Sequence, residues 1–238
     1  MNRFIFDVDG TLTDSRTLMN PEFKLWFLDF MKDHKVWLVT GSDYPKTVEQ
    51  LGSDITENVV TCYNCAGNET RFKGKVVNSK SFNISKKLNV IMESWLQASK
   101  FPLRTGTHIE IRRGMINFSV VGRGASKQQR QEYKNYDDAN RERETIALQI
   151  NSAIDGITAS VAGDTGIDIY NTGCDKSQIL EDFDSEDKLF FFGDKCEPGG
   201  NDHEISMAIT KLNGKVYNVK DWDQTWAILK NLKVTGSI

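Results

Sequence analysis

The chain has 238 residues, 39% hydrophobic and 26% charged, a balance that excludes intrinsic disorder and suits a globular protein large enough to bury a substantial core. Acidic residues number 33 against 30 basic ones, so no overall basic field argues for a nucleic-acid partner. No apolar run approaches the roughly 18 residues that a membrane span needs. The start, Met1-Asn2-Arg3, leads directly into an apolar run, which predicts no signal peptide and a cytoplasmic location. Four cysteines do not form a disulfide framework in such a chain. Cys62-Tyr63-Asn64-Cys65 has the spacing of half a zinc or redox site. The other half is missing, so ordinary reduced thiols are expected.

In chain order, Phe4-Ile5-Phe6 reads as a buried strand that ends in Asp7-Val8-Asp9-Gly10-Thr11-Leu12-Thr13. Side chains two apart on a strand share a face, so Asp7 and Asp9 leave the strand pointing into one space. Two carboxylates there can bind a divalent cation or divide nucleophile and acid/base roles. Pro21 to Asp33 is an amphipathic helix, with Phe23, Trp26, Phe27, Phe30 and Met31 at helical spacing. Lys35 to Val39 is a second buried strand, ending in Thr40-Gly41-Ser42-Asp43. Hydroxyls before a helix N-terminus can hold a phosphate or simply cap the helix. A helix carrying Val48 and Leu51, then a strand over Val59 to Tyr63, complete a repeating strand-helix pattern. The pattern predicts an α/β fold with a doubly wound, Rossmann-like parallel sheet.

Near residue 80 the pattern changes. His108 to Arg112 and Met115 to Val121 read as a hairpin around Gly114. Ser126 to Leu148, polar with sparse apolar marks, reads as helix covering a sheet, and Thr158–Val161 and Gly166–Tyr170 add two strands. Residues 80–172 are therefore expected to form an inserted α+β cap, and residues 1–79 and 173–238 the core. Asp175-Lys176-Ser177 starts a helix, and Lys188 to Phe192 is a buried strand ending in Gly193-Asp194. A Gly/Pro-rich loop then leads to Asn201-Asp202-His203. Lys215 to Val219 is the last core strand, and Asp221 to Leu232 a terminal helix that packs through Trp222, Trp226 and Leu229.

In a parallel sheet the carboxyl ends of strands converge on one edge. That edge gathers Asp7, Asp9, Thr40 and Asp194, with Lys176 in reach. Singly, Lys176 reads as a surface lysine, and Asp194 or Asp202 as a turn or cap residue. Jointly they suit phosphoryl transfer, in which a carboxylate nucleophile needs the repulsion of a phosphate cancelled. The expected roles are Asp7 as nucleophile, Asp9 as acid/base, and Thr40 and Lys176 as phosphate partners. Mg2+ is expected on Asp7, Asp9 (through its backbone carbonyl), Asp194 and Asp202.

The run Phe4 to Thr13, with Thr40, Lys176 and Asp194, resembles the motifs of the haloacid dehalogenase superfamily. Within it, Phe6 to Thr13 with Arg16, Gly41 to Gly52, Arg112-Arg113-Gly114-Met115-Ile116-Asn117, Gly122-Arg123 and Arg130, Gly173 to Lys176, and Gly193 to Ile205 resemble the eukaryotic-type phosphomannomutases over nearly the full chain. The resemblance implies Mg2+-dependent interconversion of mannose 6-phosphate and mannose 1-phosphate through an aspartyl-phosphate and a hexose bisphosphate. It implies that Arg123 and Arg130 hold the distal phosphate, that Arg16, Ser42 and Arg112 assist, and that Asp168 meets sugar hydroxyls. Without the resemblance, Arg130 reads as part of a solvated helix face. The partners implied are mannose or glucose phosphates and a second copy of the chain through the cap, with no nucleic acid and no membrane. The alternatives are a sugar-phosphate phosphatase and a sugar-phosphate sensor without turnover. The chain departs from the family at Asn64 to Glu69, where Glu-Asn-Gly is usual, and at Asp14-Ser15 before Arg16. It also has Gly166 in place of serine, and Thr40 where many mutases have glycine.

Overall fold

The computed structural model describes residues 1–234; the expected core boundary at 238 lies outside the described residues. Strand β1 (Asn2–Phe6) leads through a tight turn to helix α1 (Pro21–Asp33), capped by the Asn20 side chain. Then follow β2 (Val36–Val39), α2 (Tyr44–Leu51), a one-turn α3 (Ser53–Thr56) and β3 (Thr61–Asn64). A hairpin of β4 (Glu69–Phe72) and β5 (Lys75–Ser79) comes next, and then α4 (Lys86–Ala98). Strands β6 (Ile109–Arg112) and β7 (Met115–Phe118) are followed by α5 (Lys127–Asn140) and α6 (Glu142–Ala153). Strands β8 (Ile157–Ala162) and β9 (Gly166–Asn171) precede a 3-10 stretch at Lys176–Asp182. The chain closes with β10 (Lys188–Gly193), α7 (His203–Lys211), β11 (Lys215–Asn218) and α8 (Trp222–Val234).

Seven strands form one sheet in the order β11-β10-β1-β2-β3-β4-β5, parallel from β11 to β3 and antiparallel at the last two. Its central strands are apolar on both faces, as a parallel sheet covered on both sides requires. Phe4 and Phe6 face α1 and α8, while Ile5 faces α7 with Ile205 and Ile209. Register places Phe4 beside Phe190 and Phe6 beside Phe192, with ring centroids 4.9 and 4.8 Å apart, and Tyr217 extends the stack at 4.5 Å from Phe192. This aromatic row aligns the carboxyl ends of β1 and β10, so Asp7 and Asp194 emerge side by side.

The second sheet is antiparallel, in the order β6-β7-β9-β8. Its apolar face, with Ile116, Phe118, Ile167 and Ile169, packs on Leu88, Tyr133, Ile146 and Ile150 of the helices. The two-residue period of a strand turns Glu110, Arg112, Asn117 and Asp168 to the opposite face. That face lies over the carboxyl edge of the large sheet, where Met115 and Tyr170 pack on Cys65 and Ala66.

Several sequence expectations need correction. The segment 126–148 is two helices, not one, because Arg141 takes a left-handed conformation (φ 51°) that breaks the run. Lys176 opens a 3-10 stretch rather than an α-helix. The strand expected from Val59 begins at Thr61, and β11 is an edge strand, exposed or half-buried along its length. The β4–β5 hairpin and α4 have no counterpart in the sequence reading. The residues of β5 are all exposed, so no buried alternation marks that strand.

Candidate active site

At the carboxyl edge of the large sheet, Lys176 is 1% exposed and its Nζ donates to Asp7 Oδ1 at 2.5 Å and to Asp202 Oδ1 at 2.6 Å. Asp202 Oδ2 accepts from the Lys195 backbone N–H at 3.1 Å. Asp194 completes the group: Asp7, Asp194 and Asp202 each bring a carboxylate oxygen within 4.8 Å of the others. Lys195 Nζ adds a second ammonium, 3.4 Å from Asp194 Oδ2, and two ammonium groups against three carboxylates still leave excess negative charge in a buried place. Burial pushes the Asp7 carboxyl well above its ordinary pKa, against the pull of Lys176. Burial and then the Asp202 charge raise Asp194 to about 6. Burial opposes charge on Lys176, but Asp202 and Asp7 outweigh it and hold its pKa above the ordinary value. An all-oxygen, net-negative set of this kind fits a hard divalent cation. Gly10 (φ +84°) makes the space: a Cβ there would come within 2.5 Å of Asp194 Oδ2.

The Asp9 carboxylate stands outside this cluster, so only its backbone carbonyl remains as the expected metal ligand. Its Oδ1 accepts from the Arg16 backbone N–H at 2.6 Å and from Gln50 Nε2 at 3.0 Å, and its Oδ2 accepts from Ser42 Oγ at 3.2 Å. Thr40 is buried, and its Oγ1 accepts from the Ser42 backbone N–H at 3.1 Å. Asp43, rather than Ser42, caps α2 by accepting from Lys46 N. Ser42 is thereby left to Asp9.

Above this floor the second sheet supplies a basic wall. One cavity is lined by Asp7, Asp9, Thr40 and Ser42 below, by Arg16 at its side, and by Arg112 and Asp168 of the second sheet with Arg123 and Arg130 from the segment between β7 and β8. Arg112 Nη1 donates to the Gly41 carbonyl at 2.6 Å, a direct tie between the two sheets. Gly41 permits the approach, since a Cβ there would meet Asp168 Oδ2 at 2.6 Å. Glu110 pairs with both Arg112 (2.9 Å) and Arg123 (2.7 Å). Burial opposes charge on Glu110, but Arg112 and Arg123 outweigh it and hold the carboxyl below its ordinary pKa. Arg123 is lowered to about 10 by burial and then by the charges of Arg112 and Arg16. Burial raises the Asp168 carboxyl, opposed by Arg112 and Asn117. Four guanidinium groups against two carboxylates make this wall a site for an anion.

The structure thus brings every expected site residue to one region. Lys176 and Asp202 lie just beneath the cavity surface, against Asp7. Sequence reasoning missed Gln50, Glu110 and Asn117. Gln50 is 41 residues from the Asp9 it holds, so no local pattern reports it. Glu110 was legible only as a member of an alternating strand, its polar side matching Arg112. All four cysteines are free, and burial raises Cys62, Cys65 and Cys196 to about 12.

A parallel sheet with a buried carboxylate cluster at its edge, covered by a second sheet, defines a class. Solved structures with the same fold are phosphatases of the haloacid dehalogenase type. They include a truncated, IMP-bound IMP-nucleotidase of Plasmodium falciparum (TM-score 0.63, 16% identity, covering 98% of this chain and 68% of that one). A trehalose-6-phosphate phosphatase related protein (TM-score 0.57, 16% identity) matches over 99% of this chain and 98% of its own. At such identity the likeness shows the fold. Family membership comes from the sequence: residues 25–234 match the eukaryotic phosphomannomutase family, and the chain belongs to it. A phosphomannomutase of Nicotiana benthamiana is 35% identical over 209 residues, 84% of this chain and 83% of its own. That of Saccharomyces cerevisiae is 32% identical over 238 residues, 96% of this chain and 92% of its own. The chain is therefore an enzyme of a family that acts on sugar phosphates. No helix among the described residues is long and apolar enough to cross a membrane.

Proposed function

We propose that the chain is a Mg2+-dependent phosphomannomutase working through an aspartyl-phosphate on Asp7, with residues 80–172 as the cap that carries the distal anion site. The observation that supports this most is one cavity with Asp7 and Thr40 at its floor, Lys176 against Asp7 beneath it, and an arginine wall facing them. A hexose bisphosphate presents a phosphate at each end, and in this reading the arginines take one while Mg2+, Lys176 and Thr40 offset the charge of the other at Asp7.

In this reading Lys176 occupies Asp7 Oδ1, leaving Oδ2, 3.4 Å from the Thr11 hydroxyl, to attack phosphorus. Asp9 carries the proton to the leaving sugar oxygen and takes one from the sugar hydroxyl that later accepts the phosphoryl group. Thr40 donates to a phosphate oxygen, Ser42 donates to another once a protonated Asp9 no longer accepts from its hydroxyl, and Arg16, Arg112, Arg123 and Arg130 clamp the far phosphate. Asp7, the Asp9 carbonyl, Asp194 and Asp202 would hold Mg2+, which when bound neutralises phosphate charge. Thr40 is the one residue here that favours a phosphatase, in which water resolves the aspartyl-phosphate. The test is to incubate the protein with mannose 1-phosphate, Mg2+ and a hexose bisphosphate and to follow isomer and free phosphate together. Mannose 6-phosphate without stoichiometric phosphate is the expected result, and phosphate alone overturns the mutase reading. Turnover of neither kind, with Mg2+ bound, is the signature of a sensor.

A homodimer through the cap and a cytoplasmic location belong to the same proposal. Ile111, 72% exposed on the outer strand of the cap sheet, supports the first, and light scattering tests it.

Two consequences follow from the side chains around Asp7 and Asp9. Gln50 acts as a positioning residue, because its amide ties Asp9 to Thr13 Oγ1. Gln50→Ala is expected to lower kcat by about 10- to 100-fold while leaving KM within about twofold, the pattern of a misplaced acid/base group. A change confined to KM removes that role.

The second consequence concerns pH. With a folded-state pKa near 6, above the ordinary carboxylate value, Asp194 binds a proton more tightly in the folded than in the unfolded chain. Its contribution therefore favours the metal-free fold increasingly as pH falls through 6, and Mg2+ competes with that proton. Mg2+ at about 100 times its Kd should stabilise the protein by about 2.7 kcal/mol at pH 7.5, roughly 5–10 °C in Tm. The shift should be clearly smaller at pH 5.5 and the same Mg2+ concentration. Equal shifts in a calorimeter would take Asp194 out of the metal set.

A further inference from the structure

Strands β8 and β9 meet in a turn, Gly163-Asp164-Thr165, that lines the cavity and holds none of the site residues expected from the sequence. The turn faces the core: a Cβ at Gly163 (φ +53°) would lie 4.0 Å from Ser15 Oγ, on the loop that carries Arg16. Arg143 braces it. This buried guanidinium pairs with Asp137 at 2.7 Å, and its Nη1 donates to the Gly163 carbonyl at 2.9 Å. In a trans peptide the C=O and the next N–H point opposite ways, so the Asp164 N–H is directed away from Arg143.

Thr165 closes the turn. It is 5% exposed and lines the cavity. Neither its N–H nor its hydroxyl has a hydrogen-bond partner among the described residues. Unlike Asn117 Oδ1 and Arg130 Nε, which are unpaired and closed off, the hydroxyl keeps accessible surface. For a residue this buried, that surface lies where the residue meets the cavity. A free N–H and a free hydroxyl on one residue offer two donors. Two donors suit an oxygen-rich acceptor, and the guanidinium groups that share the cavity, Arg16, Arg123 and Arg130, suit an anionic one. A phosphate is both.

We propose that Thr165 is a further substrate-binding residue, whose hydroxyl donates to the phosphate that the arginine wall holds. The proposal rests on the reading of this cavity as a sugar-phosphate site, and it adds a neutral donor from the cap turn to the cationic ones. A hydrogen bond to a charged group is stronger than one between neutral groups, so loss of a single hydroxyl is felt in affinity. The phosphate at the arginine wall keeps its charge while the other end of the sugar reacts. The bond is therefore as strong in the ground state as in the transition state, and it belongs to KM rather than kcat.

The test is kinetic, on the full chain with Mg2+ and mannose 1-phosphate. Thr165→Val keeps the branched shape and loses the hydroxyl. It should raise KM about tenfold and leave kcat within about twofold. Thr165→Ser loses the methyl group and keeps the hydroxyl, and it should recover most of the loss, which a role in packing the turn would not produce. Thr165→Ala removes the hydroxyl a second way should Thr165→Val fold poorly, which a thermal melt reports. An Arg123→Lys background locates the bond, because groups that share one phosphate are coupled. There the effect of Thr165→Val should change by about threefold or more. A KM within about twofold of the wild type, a loss confined to kcat, no recovery in Thr165→Ser, or an effect unchanged in the Arg123→Lys background overturns the proposal. The inference can fail separately from the reading of the activity. If the wild type turns over no sugar phosphate, calorimetric Kd values for mannose 1-phosphate carry the same comparison. A tenfold loss of affinity in Thr165→Val then upholds Thr165 while the mutase reading falls. A wild type that binds no mannose 1-phosphate overturns both.

Discussion

Asp7→Asn is expected to lower turnover of mannose 1-phosphate by about 10^4-fold or more, the scale on which loss of a nucleophile acting in a concerted set is felt. The substitution is close to isosteric, and the asparagine Oδ1 still accepts from Lys176, so the cavity keeps its shape. What disappears is the anionic oxygen that bonds to phosphorus. Two further readouts separate this from general damage. Acid-quenched wild-type protein mixed with a labelled hexose bisphosphate should carry label on Asp7, and the variant none. The melting temperature should hold or rise, because burial already penalises the Asp7 charge. Retention of more than about 1% of wild-type turnover would remove Asp7 from the nucleophile role.

Lys176→Met should have a large structural effect on the core. The ammonium is the shared partner of Asp7 and Asp202, at 2.5 and 2.6 Å, and all three are buried. Removing one member of a buried ionic group leaves its partners uncompensated and costs about 3–5 kcal/mol. For a domain of this size that is roughly 6–20 °C in Tm. The loss should be greatest without Mg2+ and partly recovered with it, since a divalent cation supplies positive charge to the same carboxylates. It should also shrink at low pH, where Asp7, its carboxyl held well above the ordinary range by burial, takes up a proton and no longer needs a counter-charge. A variant that melts within about 2 °C of the wild type in the metal chelator EDTA would show that these carboxylates are compensated by other means. The catalytic loss should persist even where Mg2+ restores the fold, because the charge at Asp7 Oδ1 is part of the phosphate site.

Much of this molecule is local enough to be read in advance. The unbroken apolar run Phe4-Ile5-Phe6 carries the burial of a central strand on both faces, and Asp7-Val8-Asp9 after it carries the shared direction of two carboxylates, which comes from the two-residue period of a strand. The helix at Pro21–Asp33 announces itself by apolar spacing. Glu110, Arg112, Asn117 and Asp168 sit on the polar side of their strands for the same reason. Where local signals are weak the reading fails. The β4–β5 hairpin is exposed and carries no alternation, and the break at Arg141 rests on one left-handed residue without glycine.

The sequence by itself determined the chain order of chemistry-bearing residues: Asp7 and Asp9, Thr40 and Asp194 at the ends of apolar segments, Lys176 at a helix start, and arginines in an insertion between. These follow from backbone periodicity and from which side chains water rejects, both properties of short stretches of chain. Only the tertiary structure decided the pairings. Lys176 lies 169 residues from Asp7 and 26 from Asp202, and it bridges them. Gln50 fixes Asp9, Glu110 gathers two arginines, and Arg143 braces the turn that brings Thr165 to the cavity. Such contacts depend on how two sheets lie over one another, and packing of distant segments sets that distance to within an ångström. No spacing along the chain encodes it.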